Sequence, residues 1–217
     1  YLDAALAALP AERDEQIASR LIGRVTRVVD AYLPEPRKSA ALARVEAEFL
    51  RAASDTALSY GLRKSNFDAY VGIAGTPEAL SRLNAWLDSA SAAGSPLRQP
   101  TRWSIVTQLA TKNAPTAQAR LTAEAVRDTS TGGKRRAFIA AAGFPNAGVK
   151  RDYFTRYFAD TRLNEDWVTA SLGAFNDRDQ GALTLQYLRP ALDTLPWVQQ
   201  NRRIFFLGNW LGSFIGG

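Results

Sequence analysis

Apolar residues return every three or four positions along nearly the whole chain, and no stretch alternates in the strand manner with hairpin turns. The pattern predicts helix after helix. Ile17, Leu21, Val25, Val28 and Tyr32 line one face before Pro34 and Pro36 stop the run, and Leu42, Val45, Phe49 and Ala53 repeat the spacing. Ser65-x-x-Asp68 has the form of a capping box opening a helix over 66–73, and Thr76-Pro77 reads as an N-cap with proline at the first helical position of a helix over 77–89. Beyond the Gly-, Pro- and Ser-rich stretch from Ser91 to Pro100 come Trp103, Val106 and Ala110, then Leu121 and Ala125 after Pro115-Thr116. An alanine-rich helix follows and ends at Gly143-Phe144-Pro145. Tyr153, Phe154, Tyr157 and Phe158 form a broad aromatic face. Trp167, Ala170, Ala174 and Phe175 form another after an Asn164 cap, and Leu207, Trp210, Leu211 and Phe214 close the chain.

The expected class is all-α. Helices of roughly 10 to 18 residues with short connections predict stacked antiparallel pairs, an α-α superhelix of the HEAT or armadillo kind, with a compact bundle as the alternative since no exact repeat is visible. Such a superhelix presents a concave binding surface. The aromatic stripes are expected in its core, where large rings fill the gaps between helices. The chain is taken as one domain over 1–217, with a possible subdivision at the connection over 90–100.

Composition narrows the chemistry. The 217 residues include 0 His and 0 Cys, which removes the H-E-x-x-H zinc helix, Ser-His-Asp and Cys-His nucleophile pairs, disulfides and every Cys-based metal cage. No catalytic, cofactor or metal site is assigned to this chain. No segment approaches the roughly 20 apolar residues of a membrane span, so no membrane insertion is expected. The opening Tyr1-Leu2-Asp3 has no initiator Met and no signal-peptide core, and reads as a fragment or a processed chain. The compartment is left open. The formal charge of +6 arises from 27 Lys and Arg interspersed with 21 Asp and Glu, which describes a solvated surface.

Several constellations invite functional readings. Thr131-Gly132-Gly133-Lys134 has a phosphate-loop flavour, but Asp128 occupies the first glycine position of a Walker loop and Arg135 follows the lysine. Helix breaking and capping by oxygens of Asp128, Thr129, Ser130 or Thr131 is the better reading. Glu46 with Glu48, and Glu165 with Asp166, are too close in sequence to face one another on a helix and are read as surface charges. Interleaved Lys150-Arg151-Asp152-Tyr153-Phe154-Thr155-Arg156-Tyr157 has the composition of a nucleic-acid platform. Its spacing buries the rings and leaves the basic groups on the opposite, solvated side, so no nucleic-acid partner is expected. Arg202-Arg203, with Arg189 and Arg178, can gather to hold a carboxylate through their planar forks.

The stretch from Leu80 to Asn176 carries ordered landmarks: LSRLNAWLD, then Arg102-Trp103, Asp128-Thr129, the small residues Ala137 to Ala142, Pro145, Lys150 and Gly173-Ala174-Phe175. In that order they resemble the C-terminal helical domain of the aminopeptidase N family, with flanks like those of bacterial members. The resemblance implies a zinc metallopeptidase whose zinc ligands and glutamate base lie in a catalytic domain absent from this chain. It also implies that this domain folds over that partner domain of the same polypeptide, caps the active-site cavity, and governs which peptides enter and at what length. Charge type marks Arg102, Lys134, Lys150, Arg202 and Arg203 as candidates for capturing a peptide carboxylate. The competing reading is an independent helical-repeat scaffold that binds a peptide or an acidic protein.

Overall fold

The computed structural model describes residues 1–92, 94–160 and 163–215. Ala93, inside the 90–100 connection, and the closing Gly216-Gly217 lie outside them. The fold is all-α. The helices are α1 (Leu2–Ala8), α2 (Glu15–Arg27), α3 (Glu35–Ser54), α4 (Tyr60–Ile73), α5 (Pro77–Ser89), α6 (Gln99–Thr111) and α7 (Ala117–Arg127). They continue as α8 (Thr131–Ala142), α9 (Ala147–Ala159), α10 (Glu165–Phe175), α11 (Gly181–Thr184), α12 (Leu188–Asp193), α13 (Leu195–Asn201) and α14 (Ile204–Ile215). The chain divides into two compact units, Tyr1–Gln108 and Leu109–Gly217, and the division falls within α6.

In the first unit α4 packs on both α2 and α3. The short connection after Ser54 turns α4 back along α3, which lets Val45, Phe49, Ala52 and Ala53 meet Leu62, Phe67, Tyr70 and Val71 in a buried interior. The predicted stripe of α2 is rotated. Ala18, Ile22, Val25 and Val29 are buried, whereas Ile17 and Tyr32 are 48% and 67% exposed. Near its start α2 passes close to α4, with the Glu15 carboxylate against Gly61. A π-helical turn over Val28–Tyr32, closed by the Leu33 amide on the Val28 carbonyl at 3.1 Å, then turns Tyr32 away.

The capping expectations divide. Thr76 caps α5 through its Oγ1, which accepts from the Ala79 amide at 3.2 Å, and Pro77 opens that helix. The capping box at Ser65 and Asp68 is not one: α4 starts earlier, at Tyr60, where Ser59 Oγ accepts from the Leu62 amide at 3.2 Å. Asp68 instead pairs with Lys64 one turn before it. In the 90–100 connection Ser91–Ala92 and Ser95–Pro96 form a short antiparallel ladder, entered through Ala90 at φ 53°. This is strand content that the periodicity does not show.

The second unit is built around aromatic rings. Tyr153, Tyr157, Leu172, Phe175 and Trp210 are buried together, with Phe154, Phe158, Trp167 and Phe214 packed against them. Trp210 stands among Tyr157, Phe158, Phe206 and Phe214, and its indole N–H donates to the Ala191 carbonyl at 3.0 Å. The expected core role of these stripes holds. Around them α8 packs on α7 and α10, and α14 packs on α10.

Candidate functional site

Of the five cations singled out by charge, Lys150 behaves least like a surface group. It has no solvent exposure, and its ammonium donates to the carbonyls of Ala142 and Phe175, both at 2.8 Å, with Ala174 at 3.4 Å. Those carbonyls are the orphan acceptors that end α8 and α10, so one side chain caps two helices at once. The Phe175 ring lies under the ammonium at 5.2 Å from its centroid. Burial pulls the Lys150 pKa down to about 8, while the carboxylate of Asp177 acts in the opposite direction. The expectation that the basic groups of this segment sit on the solvated side therefore fails at Lys150. Positions 150, 153, 154 and 157 share one helical face, and the lysine stands on the aromatic stripe itself. Arg156 departs from it too, its guanidinium lying over the rings of Phe138 and Tyr153.

The other candidates are spread out. Arg202 lies at the opposite end of α9 from Lys150, about 10 Å along the helix axis, donating to the Tyr157 carbonyl at 3.0 Å. Its guanidinium faces both Trp197 and Phe206 at 5.4 Å, and its Nε is shielded from water with no hydrogen-bond partner. Arg203 next to it is exposed, and its backbone amide donates to Glu165 at 3.2 Å, in the first turn of α10. Arg135 grips Asp166 in that same turn, so α8 and the start of α14 converge on the beginning of α10. Lys134, beside Arg135, is exposed. Arg102 belongs to the first unit, where it is half-buried and donates to the Leu87 carbonyl at 3.3 Å; Trp103 next to it is buried. The second unit thus brings Arg202 and Arg203 together and sets Lys150 apart from them. The arrangement offers exposed positive charge at Lys134 and Arg203.

The phosphate-loop reading stays rejected on geometry. Ser130 is the N-cap of α8, its Oγ accepting from the Gly133 amide at 3.0 Å while donating to Asp128 at 2.6 Å. A Cβ on Gly133 would stand 2.2 Å from the Asp128 carbonyl oxygen, so the glycine serves close backbone approach.

Glu46 corrects the reading of that residue as a surface charge. It is buried, and its carboxylate accepts from the amides of Gly75 and Thr76 at 2.7 and 3.0 Å and from the Thr76 hydroxyl. Its spacing from Leu42 and Phe49 along α3 sets it on the apolar stripe, which its separation from Glu48 does not reveal. Gln180 was not foreseen. Its buried amide donates to the carbonyls of Thr111 and Gly143 at 2.9 and 2.7 Å, joining two helix ends. Lys112 pairs with Asp177 and Asp179 on the same side of the second unit. Burial raises the pKa of Asp177, with Lys112 opposing.

Compared with known families, the chain matches the ERAP1-like C-terminal domain over residues 1–216. It belongs to that family. No curated protein sequence matches the chain. As an ERAP1-like C-terminal domain it is the non-catalytic C-terminal part of an M1-type aminopeptidase. The residues of this ERAP1-like domain do not fit the zinc site of such an enzyme: the chain has 0 His and 0 Cys, and among the described residues no group of three or more carboxylates is placed to hold a metal ion. Among the described residues no helix is long and apolar enough to cross a membrane.

Proposed function

We propose that this domain caps the active-site cavity of a zinc aminopeptidase of the aminopeptidase N type and shapes peptide access and length selection. The observation that carries the reading is the family match over nearly the whole chain, joined to a residue inventory with no zinc ligand set. On this reading the zinc belongs to the catalytic domain of the same polypeptide, and the helical pairs stack into a superhelix whose concave side faces the peptide. Peptide recognition is then electrostatic. Lys134 and Arg203, the exposed members of the charge set, contact the peptide carboxylate. Arg202 holds Arg203 in place through the Tyr157 carbonyl and the Trp197 and Phe206 rings. Arg102 acts at half-buried depth, and Lys150 supports the scaffold without touching substrate.

The test uses the full enzyme that contains this domain. Lys134→Ala/Arg203→Ala is compared with wild type on peptides of graded length, with free or amidated C-termini, and on an aminoacyl anilide. The expected outcome is a rise in KM for free-acid peptides of about tenfold, the scale of one or two charge-assisted contacts, and unchanged anilide hydrolysis. An unaltered length profile and an unaltered preference for the free acid would sink the assignment of these two residues.

A further inference from the structure

The first unit contains a cavity that the peptide-access reading does not use. It has a volume of about 450 Å³, within the range of small-molecule sites, and lies between the end of α3, one face of α4, the short ladder and the start of α6. Tyr60, Arg63, Lys64 and Phe67 recur at the spacing of one helical stripe and form its long wall.

Charge in this lining is one-sided. Among the described residues three cations, Arg63, Lys64 and Arg98, contribute to it and no carboxylate does. Lys64 is already neutralised by Asp68, which leaves two arginines. Arg63 is half-buried, and its Nε is shielded from water without a hydrogen-bond partner. Arg98 is exposed and makes no side-chain hydrogen bond or ion pair among the described residues. Two like charges on one small lining, with no opposing carboxylate among its described residues, raise the local positive potential and favour an anion between them. A carboxylate is the acceptor whose two oxygens match the guanidinium fork. The rest of the wall is apolar, from Ala53, Phe67, Ala92 and Leu97.

We propose that this cavity binds a small amphiphile with a single anionic head, a medium-chain carboxylate, its head held between Arg63 and Arg98 and its tail laid on the apolar wall. The inference is independent of the peptide-access reading, since it concerns other residues and a ligand that the aminopeptidase reaction does not require.

Decanoate, below its micelle concentration, is titrated calorimetrically into the 217-residue chain, with decanol and butyrate as probes lacking the charge and the tail respectively. Saturable binding of decanoate at one site is expected, with both controls weaker by about tenfold or more, the scale of a lost charged contact or a lost apolar tail. Arg63→Met removes an unpartnered donor, so it should keep or raise the melting temperature while weakening decanoate by about tenfold. Arg98→Gln, on the surface, should weaken it without altering the fold. Were Arg63→Met to unfold the chain, Arg98→Gln alone would decide. Equal binding of decanol, wild-type affinity in the soluble variants, or no saturable binding of decanoate would each overturn the proposal.

Discussion

At the scale of single residues, the buried charges Lys150 and Glu46 decide more than the exposed ones. Lys150 carries a proton into the interior of the second unit, and the three carbonyls around it compete with the cost of removing that charge from water. Its folded pKa of about 8 lies below the ordinary lysine value of 10.5. Between those values the unfolded chain keeps the proton and the folded chain releases it, so stability rises with pH across that window. Lys150→Met removes this rise and leaves the carbonyls of Ala142 and Phe175 without a donor. The expected destabilisation is about 2 kcal/mol at the alkaline end and is offset or reversed near neutral pH, where the wild type bears the cost of the buried charge. Denaturant titrations of both proteins at pH values spanning the window check it, and parallel curves would refute the linkage. Glu46→Ala strips the acceptor from two amides and a hydroxyl at the end of α4 and should cost about 2 to 3 kcal/mol by the same measurement.

Helix ends show at the element scale why some signals in the sequence could be read and others misled. Caps at Thr76, Ser130 and Asn164 are where local chemistry places them, because an N-cap needs one oxygen and one amide within three residues. Ser65 with Asp68 has the same local form, yet Ser59 captures the start of α4 one and a half turns earlier. Ser59 Oγ also donates to Glu15 of α2 at 2.6 Å, a tertiary contact that the pattern cannot contain. Glycines separate along the same line. Gly133→Ala drives a Cβ into the Asp128 backbone and should lower stability by about 2 kcal/mol or more. Gly208→Ala, inside α14 with nothing within 4 Å of the added carbon, should raise it by about 0.5 to 1 kcal/mol through helix propensity. Thermal melts of the two variants give opposite shifts if this is right.

For the whole molecule, the all-α class and family membership separate fold from chemistry. The domain has two compact units built from packed helix pairs, and each closes its interior with apolar and aromatic side chains, with no need of a metal or a disulfide. A chelator should therefore leave the melting temperature of this chain unchanged. A shift of the isolated chain's melting temperature on chelation would contradict this.

Helical periodicity, proline stops, local caps and the absence of histidine and cysteine are properties of neighbouring residues or of composition, and the sequence determined the all-α class and excluded an H-E-x-x-H helix by these alone. The ordered landmarks around Arg102-Trp103, Asp128-Thr129 and Lys150 were likewise enough to point to the family. Tertiary structure decided the rest. Whether a charged residue on an apolar stripe is turned to water or drawn inward depends on acceptors brought from distant helices, Ala142 and Phe175 for Lys150, Gly75 and Thr76 for Glu46. Burial of an ion is stable only where such partners converge, and convergence is a property of packing that no single helix encodes.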